Sequence, residues 1–439
     1  MARRLVEGPR RRESEGMSRP VIGFAGMTHL GLVSAICAAE KGFTVIGFDP
    51  DSARTSALMR GELPVSEPRL PELLQKNRER LLFTSDAAVL STCDVVYVAP
   101  DVPTDDQGGS DLGSINDMLE AVFATTRDNA VIVVLSQVPP GFTRNKLRLG
   151  RILYYQVETL IFGRAVERAL QPERYIVGCA DPAAPLPAAY AAFLGAHGCP
   201  ILPMRFESAE LAKISINFFL VSSVTTSNVL AEVCEKIGAD WSEIVPALKL
   251  DRRIGQHAYL APGLGIAGGN LERDLATVCS LSDNYGTDTG VVRAWIANSR
   301  YRRDWVLRTL HGTVLSRIEN PVIAVLGLAY KQDTHSTKNS PSIALLSSLA
   351  PFRVRVFDPV VPASAAPNPR CLAAKTELEA CEGADALAIM TPWAQFAKLE
   401  PAQLAKKLRG KVVLDPYAVL NPVACGAAGL EYHTLGMKS

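Results

Sequence analysis

The chain is short of histidine and tryptophan, with six and four in 439 residues, and it has no Cys-x-x-Cys pair. Its nine cysteines are scattered with no histidine-rich stretch beside them, which disfavours a structural zinc site or a disulfide framework. A reducing, cytoplasmic compartment is the expectation. The histidines show no metal-ligand spacing, and no metal is expected. A surplus of charge is also missing: 46 Lys and Arg stand against 45 Asp and Glu, a net +1. That removes the main electrostatic argument for nucleic acid. Apolar runs such as 130–135 are too short to cross a bilayer, so no membrane is expected. Residues 1–18 carry Arg3, Arg4, Arg10, Arg11 and Arg12 interrupted by Glu7, Glu13 and Glu15, with no apolar core behind them. They read as a disordered basic tail, or a start placed upstream of Met17, rather than a targeting peptide.

What the chain does have is the composition of a folded protein, 48% hydrophobic and 21% charged. At roughly 150 residues per domain, its length allows about three domains. Two stretches read alike. Residues 21–49 run as a strand (VIGFA), a glycine-bearing turn, an Ala-rich helix and a strand ending Phe48-Asp49-Pro50. Residues 322–358 repeat the scheme: a strand (VIAVLG), a turn, a helix from about Ser340-Pro341, and a strand ending Phe357-Asp358-Pro359. Short β-branched runs alternating with helical periods indicate parallel βαβ units. Between the two, residues 207–237 hold no proline or glycine, and their apolar residues recur near the helical period. Such a helix should join domains or form a subunit interface, with Gly238 as its stop. A further helical run covers about 290–315. The expected fold class is α/β: two doubly wound Rossmann-like domains, 19–205 and 317–439, joined by a long central helix and a helical middle domain, 206–316.

The first turn reads Gly26-Met27-Thr28-His29-Leu30-Gly31, with Thr28 where G-x-G-x-x-G asks for its middle glycine. It follows a strand and opens a helix, whose N-terminal N–H groups can hold a pyrophosphate. Asp49 ends the second strand 18 residues after Gly31, where a carboxylate accepts ribose hydroxyls and repels a 2′-phosphate. NAD is therefore expected over NADP, with Arg54 close by. Pro100 and Ser136 are placed on the cofactor too. Read alone, the turn also suits a strand-to-helix connection that holds no ligand.

Separated motifs carry a resemblance. They are Ser136-Gln137-Val138-Pro139-Pro140-Gly141-Phe142-Thr143; Glu210-x-x-Lys213-x-x-x-Asn217; Asp251-Arg252-Arg253-Ile254-Gly255 with Pro262-Gly263-Leu264-Gly265; and Gly327-Leu328-Ala329-Tyr330-Lys331 with Ser340-Pro341. Ala384-Asp385-Ala386 with Thr391-Pro392-Trp393 adds a later one. From about Met17 onward the chain resembles the UDP-glucose/GDP-mannose dehydrogenase family. The resemblance implies that NAD takes two hydrides in turn from the primary alcohol of a nucleotide sugar. A cysteine thiol holds the intermediate aldehyde, and a homodimer is implied. The family's Gly-Gly-Ser-Cys-Phe-Pro-Lys-Asp loop is here Gly268-Gly269-Asn270-Leu271-Glu272-Arg273-Asp274, with Asn270 in the nucleophile's place. A carboxamide is not a competent nucleophile. Cys279 is expected in the following helix as a small buried hydrophobe. Gln137 replaces a Thr associated with catalytic water, Glu158 survives from an Asn-Pro-Glu-Phe-Leu segment, and Tyr417 stands where an Arg would meet the substrate's phosphates.

Lys213 and Asn217, four apart on one helix face, suit a developing alkoxide. Asp274 is the candidate proton acceptor, and Glu158 could share that part or orient water. The plainer alternatives are a solvated Lys213, a packing Asn217, a surface or N-capping Asp274 and a salt-bridging surface Glu158. Arg253 is a candidate phosphate ligand, and the resemblance implies that it can reach a neighbouring subunit's site. Lys331 and Lys338 are expected on the nucleotide, and Gly265 and Gly268 in a flexible segment whose backbone approaches the sugar. The expected function is an NAD-dependent oxidoreductase acting on a nucleotide sugar or sugar phosphate, by two-electron or transient oxidation. A uronic-acid-forming 6-dehydrogenase and a non-catalytic binding relative are the alternatives. Polysaccharide or secondary-metabolite synthesis would suit such chemistry.

Overall fold

The computed structural model describes residues 19–103 and 109–438; the expected basic tail, 1–18, lies outside them. Contacts group the chain into two units that meet in sequence between Ile216 and Asn217.

The first unit is built on an eight-stranded sheet. Its strands are β1 (Ile22–Ala25), β2 (Val45–Phe48), β3 (Leu81–Thr84), β4 (Val95–Val98), β5 (Val131–Val134), β6 (Ile152–Gln156), β7 (Tyr175–Cys179) and β8 (Ile201–Arg205). They lie in the order 3-2-1-4-5-6-7-8, with β6 and β7 antiparallel and β1, β2, β4 and β5 in parallel pairs. Every residue of β1, β2, β4 and β5 is buried. Helices cover both faces of a parallel sheet, which is why these strands read as unbroken apolar runs. Helix α1 (His29–Glu40) packs on one face. Strand order reverses between β1 and β4, so the switch-point crevice falls at their carboxyl ends, beside the Gly26 turn.

Among the further helices are α2 (Phe142–Asn145), α3 (Ala165–Leu170) and α4 (Phe206–Ile237). The 32-residue α4 is the expected long helix, stopped by Gly238 at φ 81°. By length and composition it could cross a membrane. Yet Phe206 and Ala209 lie in the first unit's core and Val221 in a cluster of the second, as in a core helix.

The second unit holds α5 (Trp241–Leu250), α6 (Asn270–Tyr285) and α7 (Gly290–Arg303). Its sheet comprises β9 (Val322–Leu326), β10 (Arg353–Phe357), β11 (Cys371–Ala373), β12 (Ala386–Ile389), β13 (Val412–Leu414) and β14 (Glu431–His433). The order is 11-10-9-12-13-14, all parallel. The α/β class with two doubly wound sheets is borne out. Helix α8 (Pro341–Ser348) starts at the capping Ser340, as expected.

The repeated Phe-Asp-Pro has one physical cause. Asp49 Oδ2 accepts the Met27 N–H at 2.7 Å, and Asp358 Oδ2 accepts those of Leu328 and Ala329 at 2.6 and 3.1 Å. In each half, the carboxylate ending the second strand anchors the glycine turn that follows the first.

Candidate active site

The first unit requires two of the fingerprint glycines sterically. Gly26 has φ 100°, and a Cβ on it would lie 2.6 Å from the Pro100 nitrogen. A Cβ on Gly31 would lie 1.9 Å from the Gly26 carbonyl oxygen. That obstacle is backbone, which cannot step aside. Gly31→Ala should cost more than about 3 kcal/mol and abolish NAD binding, measured by thermal unfolding with and without NAD. Thr28 immediately precedes α1, and its hydroxyl accepts the Asp101 N–H at 3.0 Å rather than capping the helix, tying the turn to the loop after β4. Leu30 is core.

Asp49 is buried and receives three donors: Met27 N–H, Asp51 N–H at 3.0 Å and the Arg54 guanidinium at 2.7 Å. A carboxylate offers about four acceptor sites, so one remains for a ribose hydroxyl. Ser136 and Pro100 bond to each other, Oγ to carbonyl at 2.5 Å, joining the segments after β5 and β4. Among the residues around the turn, α1's N-terminal N–H groups and Asp49's remaining acceptor suit an NAD pyrophosphate and ribose.

His29 Nε2 lies 2.8 Å from Glu67 Oε1, and its ring packs 4.2 Å from that of Phe162. The buried Glu67 also accepts the N–H groups of Gly163 at 3.0 Å and Ala165 at 3.1 Å, at the start of α3. One carboxylate thereby joins the first turn of α1 to the segment that carries Glu158. Nothing in the sequence marked Glu67, because an acid in a proline-bearing loop reads as solvated. Glu67→Gln should lower stability by about 2 kcal/mol, read by denaturant unfolding, since hydrogen bonds to a charged acceptor weaken together.

Glu158 follows β6 and is half-buried, with Oε1 accepting the Leu160 N–H. Burial pushes its carboxyl up to about 7, against the Leu160 N–H and the Lys213 charge, which draw it down. The surface salt-bridge alternative for Glu158 is thus corrected: desolvation governs it. Lys213 is half-buried rather than solvated. Glu210, three residues before it, is buried and accepts the N–H groups of Gly141 (2.6 Å) and Thr143 (2.8 Å) around the start of α2. The motif's glutamate therefore fixes the loop after β5, on which Gln137 sits half-buried.

In the second unit, the Asn217 side-chain amide donates to Asp274 Oδ2 at 2.5 Å, and both residues are buried. The alternative of Asp274 as a surface or N-capping acid is corrected: it lies in the first turns of α6, after Gly269 as N-cap. Buried Arg273 is 3.8 Å from it. The segment 263–269 is not the flexible loop expected. Asn228 Oδ1 accepts the Gly263 N–H at 2.8 Å, Ser299 Oγ the Ile266 N–H at 2.7 Å, and the Lys338 carbonyl the Gly268 N–H at 3.1 Å. A Cβ on Gly265 would meet the Ser299 carbonyl oxygen at 2.4 Å, and one on Gly268 the Tyr330 ring at 2.9 Å. These glycines serve close packing rather than mobility. Asn228, Ser299 and Tyr330 gave no sequence signal of that part.

Asn270 is the first residue of α6 and is exposed. Cys279 sits on the same helix, half-buried against the cluster of Val221, Ile266, Leu275 and Val292. Nine residues of α-helix rise about 13 Å, so its sulfur cannot stand in at Asn270. Half-buried Glu272 is raised by burial, opposed by Arg303, Lys338 and Arg300. Lys331 and Lys338 are half-buried, whereas Arg253 is 89% exposed and pairs with Asp251 at 2.6 Å. Tyr417 is half-buried against the second unit's core. Among the described residues, no cluster of three His, Cys, Asp or Glu could hold a metal.

Profiles of the UDP-glucose/GDP-mannose dehydrogenase family match along the chain: the NAD binding domain at 21–191, the central domain at 207–300 and the UDP binding domain at 324–422. A UDP-glucose 6-dehydrogenase of Pseudomonas aeruginosa is 31% identical over 437 residues, covering 94% of this chain and 96% of that one. The UDP-glucose 6-dehydrogenase TuaD of Bacillus subtilis is 28% identical, covering 94% and 93%. A UDP-glucose dehydrogenase structure from Pyrobaculum islandicum superposes with a TM-score of 0.85 at 24% identity, covering 98% of this chain and all of that one. At that identity the superposition speaks for the fold.

Proposed function

The chain belongs to the UDP-glucose/GDP-mannose dehydrogenase family, and from that premise we propose that its oxidation of a nucleotide sugar stops short of the carboxylate. It is an NAD-dependent oxidoreductase of the CH–OH group. The observation that carries the narrower reading is Asn270 at the head of α6, with Cys279 some 13 Å further along the same helix. Oxidising an aldehyde requires a tetrahedral carbon from which hydride leaves, and no thiol is offered there to make one.

NAD, held by the Gly26 turn and Asp49, supplies hydride acceptance. The rest falls to side chains. Glu158, set by burial near neutrality, takes the hydroxyl proton as general base. Lys213 and Asn217, one helical turn apart on α4, steady the oxygen as it gains negative charge. One N–H of the Asn217 amide is committed to Asp274, which leaves the other for the substrate. Asp274 thereby orients the amide, in addition to its candidacy as proton acceptor. Lys331, Lys338 and Arg253 are the phosphate-facing cations of this reading.

We also infer a homodimer. Phe219, Ile237 and Leu250 are 77%, 71% and 74% exposed, with Leu230 and Val233 exposed on α4 between them. Single apolar residues on a surface mean little, but a series along neighbouring helices suits a second copy. Sedimentation should give about twice the 47.3 kDa chain mass; a monomer at micromolar concentration would remove the inference. All nine cysteines are free, in keeping with the cytoplasm.

The function is tested by offering purified protein NAD and a panel of UDP- and GDP-sugars, following sugar conversion and NADH together. Conversion of one of them supports the reading. Thermal stabilisation by NAD and sugar without conversion would contradict it, in favour of a binding protein.

A further inference from the structure

Glu158 is half-buried, yet a base that receives a proton at each turnover must pass it on. A cavity of about 50 Å³ lies in the first unit beside Glu158, lined by apolar side chains and by polar groups from α1, β4, β6, α3, β7 and the turn at His197. They include Cys37, Tyr97, Gln156, Arg168, Tyr175 and His197. By the same measure a water molecule needs roughly 10–15 Å³ and two to four polar partners, so there is room for a short file of waters. The cavity lining includes the partly exposed Arg168 and Arg174, with side chains 18% and 32% exposed.

Part of its wall is apolar, with Phe24, Leu135 and Phe193, and part carries hydrogen-bonding groups. Gln156 Oε1 accepts both the Tyr97 hydroxyl at 2.9 Å and the Tyr190 hydroxyl at 3.0 Å. Of the two, Tyr97 lines the cavity, and with its proton directed at the amide its phenolic oxygen keeps lone pairs for a further hydrogen bond. The Arg168 guanidinium is fixed by the Thr159 carbonyl at 3.3 Å and by Glu173 at 2.8 Å. The charged and titratable groups facing Glu158 are Lys213 from α4, Arg168 from α3, Cys37 from α1 and Tyr175 from β7. Burial pushes Cys37 up to about 12 and His197 down to about 4, so both are neutral at physiological pH. Nothing in the chamber then competes with Glu158 for the proton.

We propose that this cavity is the proton exit of the reaction: water in it carries the substrate hydroxyl proton from Glu158 past Tyr175 and His197 to solvent. The balance is that of an alcohol oxidation, with the hydride carrying both electrons to NAD and one proton leaving through Glu158 to water. The proposal rests on Glu158 being the base of the proposed function. Gln156, Tyr97 and Tyr175 then act as positioning residues.

The test needs no substrate. At pH 5 the protonated Glu158 carboxyl has an infrared C=O stretch, assigned by its loss in Glu158→Gln, and its shift on mixing into D₂O times proton exchange. Exchange within the mixing time is expected for the natural protein. A sealed carboxyl, exchanging over minutes or longer, would overturn the proposal with no variant at all. Ala169→Leu and Ser34→Val each add carbon to the cavity wall and should slow exchange at least tenfold. The turnover number should fall alongside it, with NAD affinity retained as the check on folding. Unchanged exchange in a folded, filled variant would also overturn the exit. Fast exchange that filling slows, in a protein that converts no sugar, would sink the proposed function and leave the route standing.

Discussion

Supplied with NAD and its nucleotide sugar, the protein should form one NADH or none per sugar converted, rather than two. One corresponds to release of a carbonyl product. None, with an altered sugar, corresponds to a hydride that is returned after epimerisation or elimination beside the transient carbonyl. Two would require an aldehyde to become tetrahedral, and in the proposed reading Asn270 takes the place of the thiol that would make it so. Five of the thiols are poorly suited to replace it. Burial pushes those of Cys37, Cys93 and Cys381 up to about 12 and those of Cys371 and Cys425 to about 11, far from the thiolate form that reacts. Asn270→Cys should raise the ratio towards two with acid as product. Since Asn270 is exposed on a first helical turn, the substitution should cost little stability. A variant that folds, turns over and still yields no second NADH would show that this position does not face the reacting carbon.

The second large effect concerns Glu158. Glu158→Gln keeps the shape of the side chain but removes its basicity, and kcat should fall by about 10²–10⁴, the usual span for losing a general base. The pH profile carries the sign. A base must be deprotonated to act, and burial holds this carboxyl at about 7. The rate of the natural protein should therefore rise as pH increases through about 7, whereas an unperturbed glutamate would give a limb near pH 4–5. In Glu158→Gln the residual rate should lose that limb. A profile flat from pH 6 to 8 in the natural protein, or a Gln variant within threefold of it, would assign the proton to another group.

The fold was legible in the sequence wherever one rule dominated. Fully buried parallel strands showed as VIGFA and VIAVLG, and α4 as a stretch without proline or glycine. Phe-Asp-Pro marked both second strands because a carboxylate there anchors the preceding turn. The site was legible only in part. Lys213, Asn217 and Asp274 could be named from their spacing and the family likeness, but not the Asn217–Asp274 hydrogen bond, which depends on α4 meeting α6. Glu67 and Asn228 left no trace, because each bonds backbone N–H groups far away in sequence. A glycine-rich spelling suggested mobility in 263–269, whereas those glycines make room for Ser299 and Tyr330. Glycine permits both outcomes, and the neighbours that decide between them are not local.

Intact-protein and peptide mass spectrometry of the enzyme, acid-quenched during steady turnover with NAD and sugar, tests most directly whether hydride chemistry proceeds here without sulfur. The expected result is all nine cysteines unmodified while substrate is consumed. A sugar-derived mass on any one of them, Cys279 above all, would contradict the account.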